Sequence, residues 1–226
     1  MNPSPAAADI ARAFLPHRYH YWYARSKLAS DPLYGGVRQA LAGCRNPLLD
    51  LGCGIGLLAH AVPGLGSDID YVGVDNDADK IASARSAAQR AGLLRVRFEV
   101  VDLATQFPAD HRGSVTILDM LQFLTPAART ALLTRVAACL APDGRLVIRS
   151  GLADGNWRSR VTRGADHLAC GLGWMNAAPR TYPTRAGLAA ELAALGLDSD
   201  IRPLWGRTPF NNWLVRAWRR PGHAPA

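Results

Sequence analysis

Asp50 is followed by glycine at every second position, Gly52, Gly54 and Gly56. Three further acids, Asp75, Asp102 and Asp119, each close an apolar run farther along the chain. Alternating glycines let backbone come within contact distance of a ligand, because no Cβ intervenes. A helix-like run follows at once, and the first N–H groups of a helix face whatever lies above the loop. The pattern predicts a nucleotide-type cofactor at the carboxyl end of a first parallel strand.

Two frames fit the loop. Gly54-Ile55-Gly56-Leu57-Leu58-Ala59 matches the dinucleotide fingerprint with alanine in the third place, which implies NAD and an oxidoreductase. In the other frame, Asp50-x-Gly52-x-Gly54-x-Gly56, the stretch from Pro47 to Gly56 resembles motif I of the class I S-adenosylmethionine-dependent methyltransferases. The acid favours the second frame. A carboxylate beside a pyrophosphate repels it, whereas the ammonium and sulfonium of S-adenosylmethionine are attracted, directly or through water. Cys53, inside the loop, joins the expected cofactor site.

Asp75 stands 21 positions after Gly54. An acid about 20 residues past such a loop grips a ribose diol in either cofactor class, and Asn76 lies beside it. The family resemblance implies more. Asp102 would accept from the adenine amino group, as an ionised carboxylate can, with the backbone N–H of Leu103 against the ring. Ile117-Leu118-Asp119-Met120-Leu121-Gln122-Phe123-Leu124 corresponds to motif IV. There Asp119 and Met120 would shape the methionine end, and Gln122 and Phe123 would meet the acceptor. The segment lacks the Asn/Asp-Pro-Pro-Tyr/Phe signature of methylation on amides and base amino groups.

Methyl transfer needs alignment, water exclusion and a sink for any acceptor proton. His20 and His167 are the candidate bases, since imidazole titrates in the useful range. Tyr23, Arg25 and Lys27, in an aromatic N-terminal segment, are candidates for the cofactor carboxylate and the sulfonium face. Trp157, Trp174 and Asn212 would wall the acceptor pocket. Arg149 or Arg158 would supply a cation if a phenolate has to form. Two stretches, Tyr23–Leu28 with Asp31–Tyr34, and Trp205–Leu214, are similar to bacterial methyltransferases that accompany aryl-polyene pigment and fatty-acid-like biosynthesis. That resemblance implies a small aromatic, phenol-like acceptor, carried or not on an acidic acyl carrier protein.

The elements that would position these groups alternate. Strands are expected at Leu48–Asp50, Tyr71–Asp75, Val96–Val101, Val115–Leu118 and Arg145–Arg149. Helices are expected at Ile55–Val62, Asp77–Ala91 and Pro126–Leu140. Such a beat predicts an α/β fold: a seven-stranded, mostly parallel, doubly wound sheet with helices on both faces. A helix at Thr184–Leu195 and strands at Ser199–Leu204 and Asn212–Trp218 complete it, with the last strand antiparallel as the resemblance implies. Residues 1–45 are expected to form a helical lid, with helices at Ala6–Leu15 and from the Asp31-Pro32 turn to Ala42. Residues 46–226 would form the Rossmann-like domain, with a substrate-side insertion at about 151–183 that includes a helix over Val161–Leu172.

Composition narrows the classes. The chain has 226 residues, 49% hydrophobic and 19% charged, as in ordinary globular domains. The four cysteines form no C-x-x-C pair, so no zinc site is expected. No leader and no membrane-length apolar run is visible, and a cytoplasmic location is expected. The net charge is +8, and five arginines with no acid follow Ile201. That suits an acidic partner. A nucleic acid, as for an RNA methyltransferase, is disfavoured because no added RNA-binding domain is visible.

Overall fold

The computed structural model describes residues 5–153, 155, 157–159, 161 and 181–221. Three helices come first: α1 (Pro5–Arg12), α2 (Arg18–Ser30) and α3 (Leu33–Ala40). The sheet then builds from β1 (Leu48–Leu51), β2 (Tyr71–Asp75), β3 (Val96–Val100), β4 (Ser114–Leu118), β5 (Leu146–Gly151), β6 (Leu197–Pro203) and β7 (Asn212–Arg219). Its order is β3-β2-β1-β4-β5-β7-β6. β7 runs antiparallel to both its neighbours, and the other pairs are parallel. All four residues of β1 are buried, as a central parallel strand with both faces covered requires.

The crossing helices are α4 (Leu57–Ala61), α5 (Ala78–Arg90), α6 (Pro126–Cys139) and α7 (Arg185–Ala194). Local chemistry sets their ends. Asp77 caps α5, its side chain accepting from Asp79 N and Lys80 N. Thr125 caps α6, with Pro126 in the first turn. One core lies between the sheet and α6 and α7, around Leu133, Val136, Ile148 and Leu188. A second lies under α3, α4 and α5, around Val37, Leu58 and Ile81. A third joins Phe14 of the α1–α2 connection and Ala24 of α2 to Ile55, Leu57 and Ala87, so α2 rests on the glycine loop and on α5.

Several boundaries move from expectation. α4 starts at Leu57, not Ile55, because Gly56 is left-handed (φ 72°) and cannot belong to a right-handed helix. It ends before Pro63, which disfavours helical geometry in the residue ahead of it. β3 stops at Val100, α3 at Ala40 and the first helix at Arg12, while β6 begins two residues early, at Leu197. Helix α2 carries little hydrophobic periodicity and had no predicted bounds. Of the helix expected over Val161–Leu172, only Val161, itself helical, lies within the described residues.

The register of β5 with β7 matters for the site. Arg149 is opposite Leu214, Ser150 opposite Trp213, and Gly151 opposite Asn212. The amino end of β7 therefore sits at the carboxyl edge of β5, beside the tips of β4 and β1.

Two loop glycines should respond differently to substitution. A Cβ on Gly56 would stand 2.5 Å from the Phe98 ring, whereas one on Gly54 (φ 55°) meets nothing within 4 Å. Gly56→Ala is expected to lower stability by about 3 kcal/mol through overpacking and left-handed strain. Gly54→Ala should cost only about 1 kcal/mol, from strain alone. Urea unfolding followed by circular dichroism checks both, and equal losses would contradict this reading.

Candidate active site

The glycine loop is fastened to the end of β2. Gly52 N and Cys53 N both donate to Val74 O, at 2.8 and 3.0 Å. Gly54 N donates to Asp75 Oδ2 at 2.8 Å, and Asp77 N donates to Asp75 Oδ1 at 3.0 Å. Each Asp75 oxygen thus keeps acceptor capacity for a further donor. A Cβ on Gly52 would lie 3.0 Å from Met120 Sδ, so Met120 closes one side of the loop. The space above Gly54 is open. It is a cradle that any side chain there would enter. Asn76 is exposed beside it. Asp102 is exposed on the loop after β3, its Oδ1 accepting from Ala104 N at 2.9 Å, and Leu103 packs partly into the core. Cys53 is packed against Gly73, and burial pushes its thiol far above the ordinary range.

Asp50 is placed differently from expectation. Its carboxylate is buried within the sheet, where Tyr71 OH donates to Oδ2 at 2.6 Å and Thr116 Oγ1 donates to Oδ1 at 2.7 Å. Direct contact with a cofactor ammonium is therefore corrected: both oxygens face protein hydroxyls on the neighbouring strands. This carboxyl is pushed up to about 6: burial raises it, the Thr116 and Tyr71 hydrogen bonds offset part of that, and Asp75 adds repulsion.

At the tip of β4, four charges from distant parts of the chain meet. Asp119 Oδ2 accepts from Arg149 Nη1 and, at 3.3 Å, from Lys27 Nζ. Asp31 Oδ2 lies 3.0 Å from Lys27 Nζ and 3.2 Å from Arg149 Nη2. Two cations and two carboxylates compensate one another. Burial works against the charge on Lys27 and Arg149, but Asp119 and the other partners outweigh it and raise both. Burial likewise opposes the charge on Asp31, and Arg149 and Lys27 reverse that and lower it. Arg149, expected with Arg158 as a candidate cation for a phenolate, has its guanidinium held by two carboxylates. Asp119 itself is left-handed (φ 59°), the one described non-glycine residue with positive φ. Its N–H donates to Arg149 O at 2.9 Å.

Arg25 donates to Tyr21 OH at 3.3 Å and lies 5.1 Å from the Trp22 ring, away from these carboxylates. Tyr23 is largely exposed. Tyr34 is a group that sequence reasoning missed. Burial raises its phenol well above the ordinary range, and Tyr23, Asp31, Asp119 and Asp50 add to the effect, which puts it among the site's charges. Asp31 was missed as well, because Asp31-Pro32 reads as a simple helix start.

Gln122 and Phe123, expected to meet the acceptor, form a 3-10 turn after Asp119. Gln122 Nε2 donates to Asp119 O at 3.0 Å. Gln122 Oε1 and Arg149 Nε are buried without partners among the described residues. Asn212 is buried, but the polar work there falls to Asn211. Asn211 donates to Leu152 O at 2.7 Å and accepts from Trp213 Nε1 at 3.2 Å. Trp157 is exposed, and the Arg158 guanidinium lies 4.8 Å from both its ring and that of Trp205. Trp205 meets Trp213 edge-on at 5.9 Å. His20 faces α5: its Nδ1 is 2.7 Å from Ser83 Oγ, its ring stacks on His17 at 3.7 Å, and burial, then His17, lowers its pKa. His167 and Trp174 lie outside the described residues.

The arginines after Ile201 are largely used internally. Arg202 and Arg216 approach Asp200, Arg220 pairs with Asp198, and Arg219 donates to the Ala137 and Leu140 carbonyls that end α6. Cavities of about 550 and about 250 Å³ lie elsewhere, the first among α1, the end of α4 and the end of α5, the second beside α3. Neither reaches the glycine loop. Among the described residues no group of three metal-ligating side chains forms, and no helix is long and apolar enough to cross a membrane.

With this geometry in place, likeness to known proteins is informative. Residues 48–144 match a family described as "Methyltransferase domain". The chain is 32% identical over 119 residues to a ubiquinone biosynthesis O-methyltransferase of Bradyrhizobium sp. (strain ORS 278), covering 53% of this chain and 44% of that protein. It spans less than half the length of the curated relatives it matches first. An O-methyltransferase family protein from Burkholderia thailandensis shares the fold with a TM-score of 0.70 at 18% identity, over 92% of this chain and 62% of that one. So does magnesium protoporphyrin IX methyltransferase from Synechocystis PCC 6803, solved with bound SAH, at 0.63 and 21%, over 83% and 82%.

The raised Asp50 carboxyl gives a pH test. The native state keeps this proton between the unfolded value of about 3.9 and the folded value of about 6, so its contribution to stability falls as pH rises through that window. Relative to Asp50→Asn, the parent should lose about 2 kcal/mol between pH 4 and 7. Urea unfolding of both proteins across that range measures the difference, and parallel pH profiles would contradict it.

Proposed function

We propose that this chain, whose residues 48–144 match the methyltransferase-domain family and whose fold is shared with methyltransferases of known structure, uses S-adenosylmethionine to methylate a small aromatic, phenol-like acceptor. The observation that carries the reading is the open cradle above Gly54, with the Asp75 carboxylate at its edge and acceptor capacity left on both oxygens. Asp75 and Asn76 would hold the ribose, and Asp102 with the Leu103 N–H would hold the adenine. Gly52, Cys53, Gly54 and Gly56 would line the floor. Asp119, Met120 and Lys27 would border the methionine end, with Tyr23 and Arg25 at the mouth. When bound, S-adenosylmethionine supplies an electrophilic methyl on a sulfonium. Asp50 acts from beneath, as a buried tie under the loop.

The chain's own task is mainly alignment and exclusion of water. Gln122 and Phe123 follow Asp119 and would orient the acceptor. Trp205 and Trp213, with Trp157 and Arg158, offer flat rings and a cation that suit an aromatic acid. The four-charge cluster is neutral in sum, so it supports geometry better than it supports phenolate formation. A dedicated base is not required where the acceptor ionises readily. His20, held by Ser83, fits a role in seating α2 better than one in proton transfer. The reading includes free and carrier-linked forms of the acceptor and a cytoplasmic location. The internal use of the late arginines favours the free form.

Calorimetric titration with S-adenosylhomocysteine and NAD tests the cofactor. Binding of the first and none of the second is expected, and the reverse would overturn the proposal. Asp75→Ala should weaken S-adenosylhomocysteine binding about 100-fold, the loss of two charge-assisted hydrogen bonds, at near-parental helical content. Unchanged affinity would remove Asp75 from the site. Methyl transfer to a hydroxylated benzoic or cinnamic acid, free and carrier-linked, tests the acceptor, and activity on neither would overturn the aromatic assignment.

A further inference from the structure

Helix α2 turns large rings outward. Tyr19 is 55% exposed, Trp22 54% and Tyr23 42%, while Ala24 is the residue the helix buries. Positions three and four apart share a helix face, so these rings form one patch. Tyr19 and Tyr23 stack with centroids 6.5 Å apart, and the Arg25 guanidinium lies 5.1 Å from the Trp22 ring. Leu15, just before the helix, is also exposed.

The charge of this region has one sign. From Ile10 to Ser30 the sequence holds four basic residues and no acid. Lys27 is used inward by Asp31 and Asp119, and Arg12 pairs with Asp9. Arg18 and Arg25 remain on or beside the aromatic face without a carboxylate partner among the described residues. Tryptophan and tyrosine present an apolar body with a polar tip, and arginine offers a cation on an apolar stem. Half-exposed rings beside cations match the boundary between lipid tails and anionic headgroups.

We propose that the outer face of α2 docks on an anionic phospholipid surface. An acidic protein would also meet the charge, but the rings stand on one helix face and neither of the two cavities gives a groove beside them for a partner's side chains. A fluid headgroup layer needs no such groove. The basic C-terminal strands compete poorly for the role, because their arginines are bonded within the fold. Tyr19, Trp22 and Arg18, which carry the outer part of this face, have no assigned part in holding cofactor or acceptor, and the inference stands or falls independently of the acceptor.

Co-sedimentation of the full chain with vesicles tests it. The protein should bind vesicles of mixed phosphatidylcholine and phosphatidylglycerol, bind pure phosphatidylcholine weakly, and release as salt rises. The double variant Tyr19→Ser with Trp22→Ser should partition about tenfold less or lower, from lost ring insertion, while its thermal unfolding and its affinity for S-adenosylhomocysteine stay at parental values. Failure of the parent to bind the mixed vesicles overturns the proposal. So does a double variant that binds as the parent does, which would trace attachment to net charge alone. Loss of binding to a purified acyl carrier protein in the same variant, with no vesicle binding by the parent, would also overturn it and assign the patch to an acidic protein.

Discussion

The buried Asp50 carboxylate ties together three adjacent strands at the point where the central one ends. Tyr71 of β2 and Thr116 of β4 each donate a hydroxyl to it from opposite sides. A carboxylate in this position is costly unless its oxygens find donors, and two donors from two strands fix where β1 stops relative to its neighbours. The glycine loop begins immediately after. Its left-handed turns are meaningful only if the end of β1 is level with Val74 and Asp75, whose carbonyl and carboxylate receive the loop's N–H groups. The tie beneath the loop therefore determines the shape of the cradle above it.

A second constraint links the helices to the sheet. Lys27 and Asp31, at the end of α2, meet Asp119 and Arg149 at the tips of β4 and β5. Partly buried ion pairs add little net stability, but loss of one member strands the others. The cluster is better understood as fixing position. It holds α2 against the carboxyl edge of the sheet, and with it the left-handed turn at Asp119. A short polar side chain tolerates that backbone at a cost of about 1 kcal/mol, and the strain lies at the tip of β4, where the proposed cofactor and acceptor sides would meet.

Much of the fold was legible because it is carried by local chemistry. Apolar runs closed by an acid, the alternating glycines, and helix starts such as Asp77 and Pro126 announced the strands and helices in order. The strand that reverses, β7, was legible only through the family resemblance, since direction leaves no local trace. The site was legible where its residues are local, as with the loop and Asp75. It was illegible where it depends on tertiary meeting. Nothing in the neighbourhood of Asp31 or Arg149 in sequence says that they will pair, 118 positions apart. The misplacement of Asp50 has a different cause. A polar residue inside an apolar strand reads as ligand-facing, unless one notices that Tyr71 and Thr116 are also polar groups inside apolar strands and need a partner. The two extra residues predicted at the start of α4 ignored the handedness of Gly56.

The central claim is that the crevice above the β1 loop, bounded by Asp75 and Asp119, is where S-adenosylmethionine binds. A crystal structure of the chain grown with S-adenosylhomocysteine tests this most directly. The claim predicts the ribose hydroxyls on the Asp75 carboxylate, the nucleoside lying over Gly54, and the homocysteine end beside Asp119 and Lys27. Density for the ligand in either of the two remote cavities, with the space over Gly54 filled only by solvent, would contradict it.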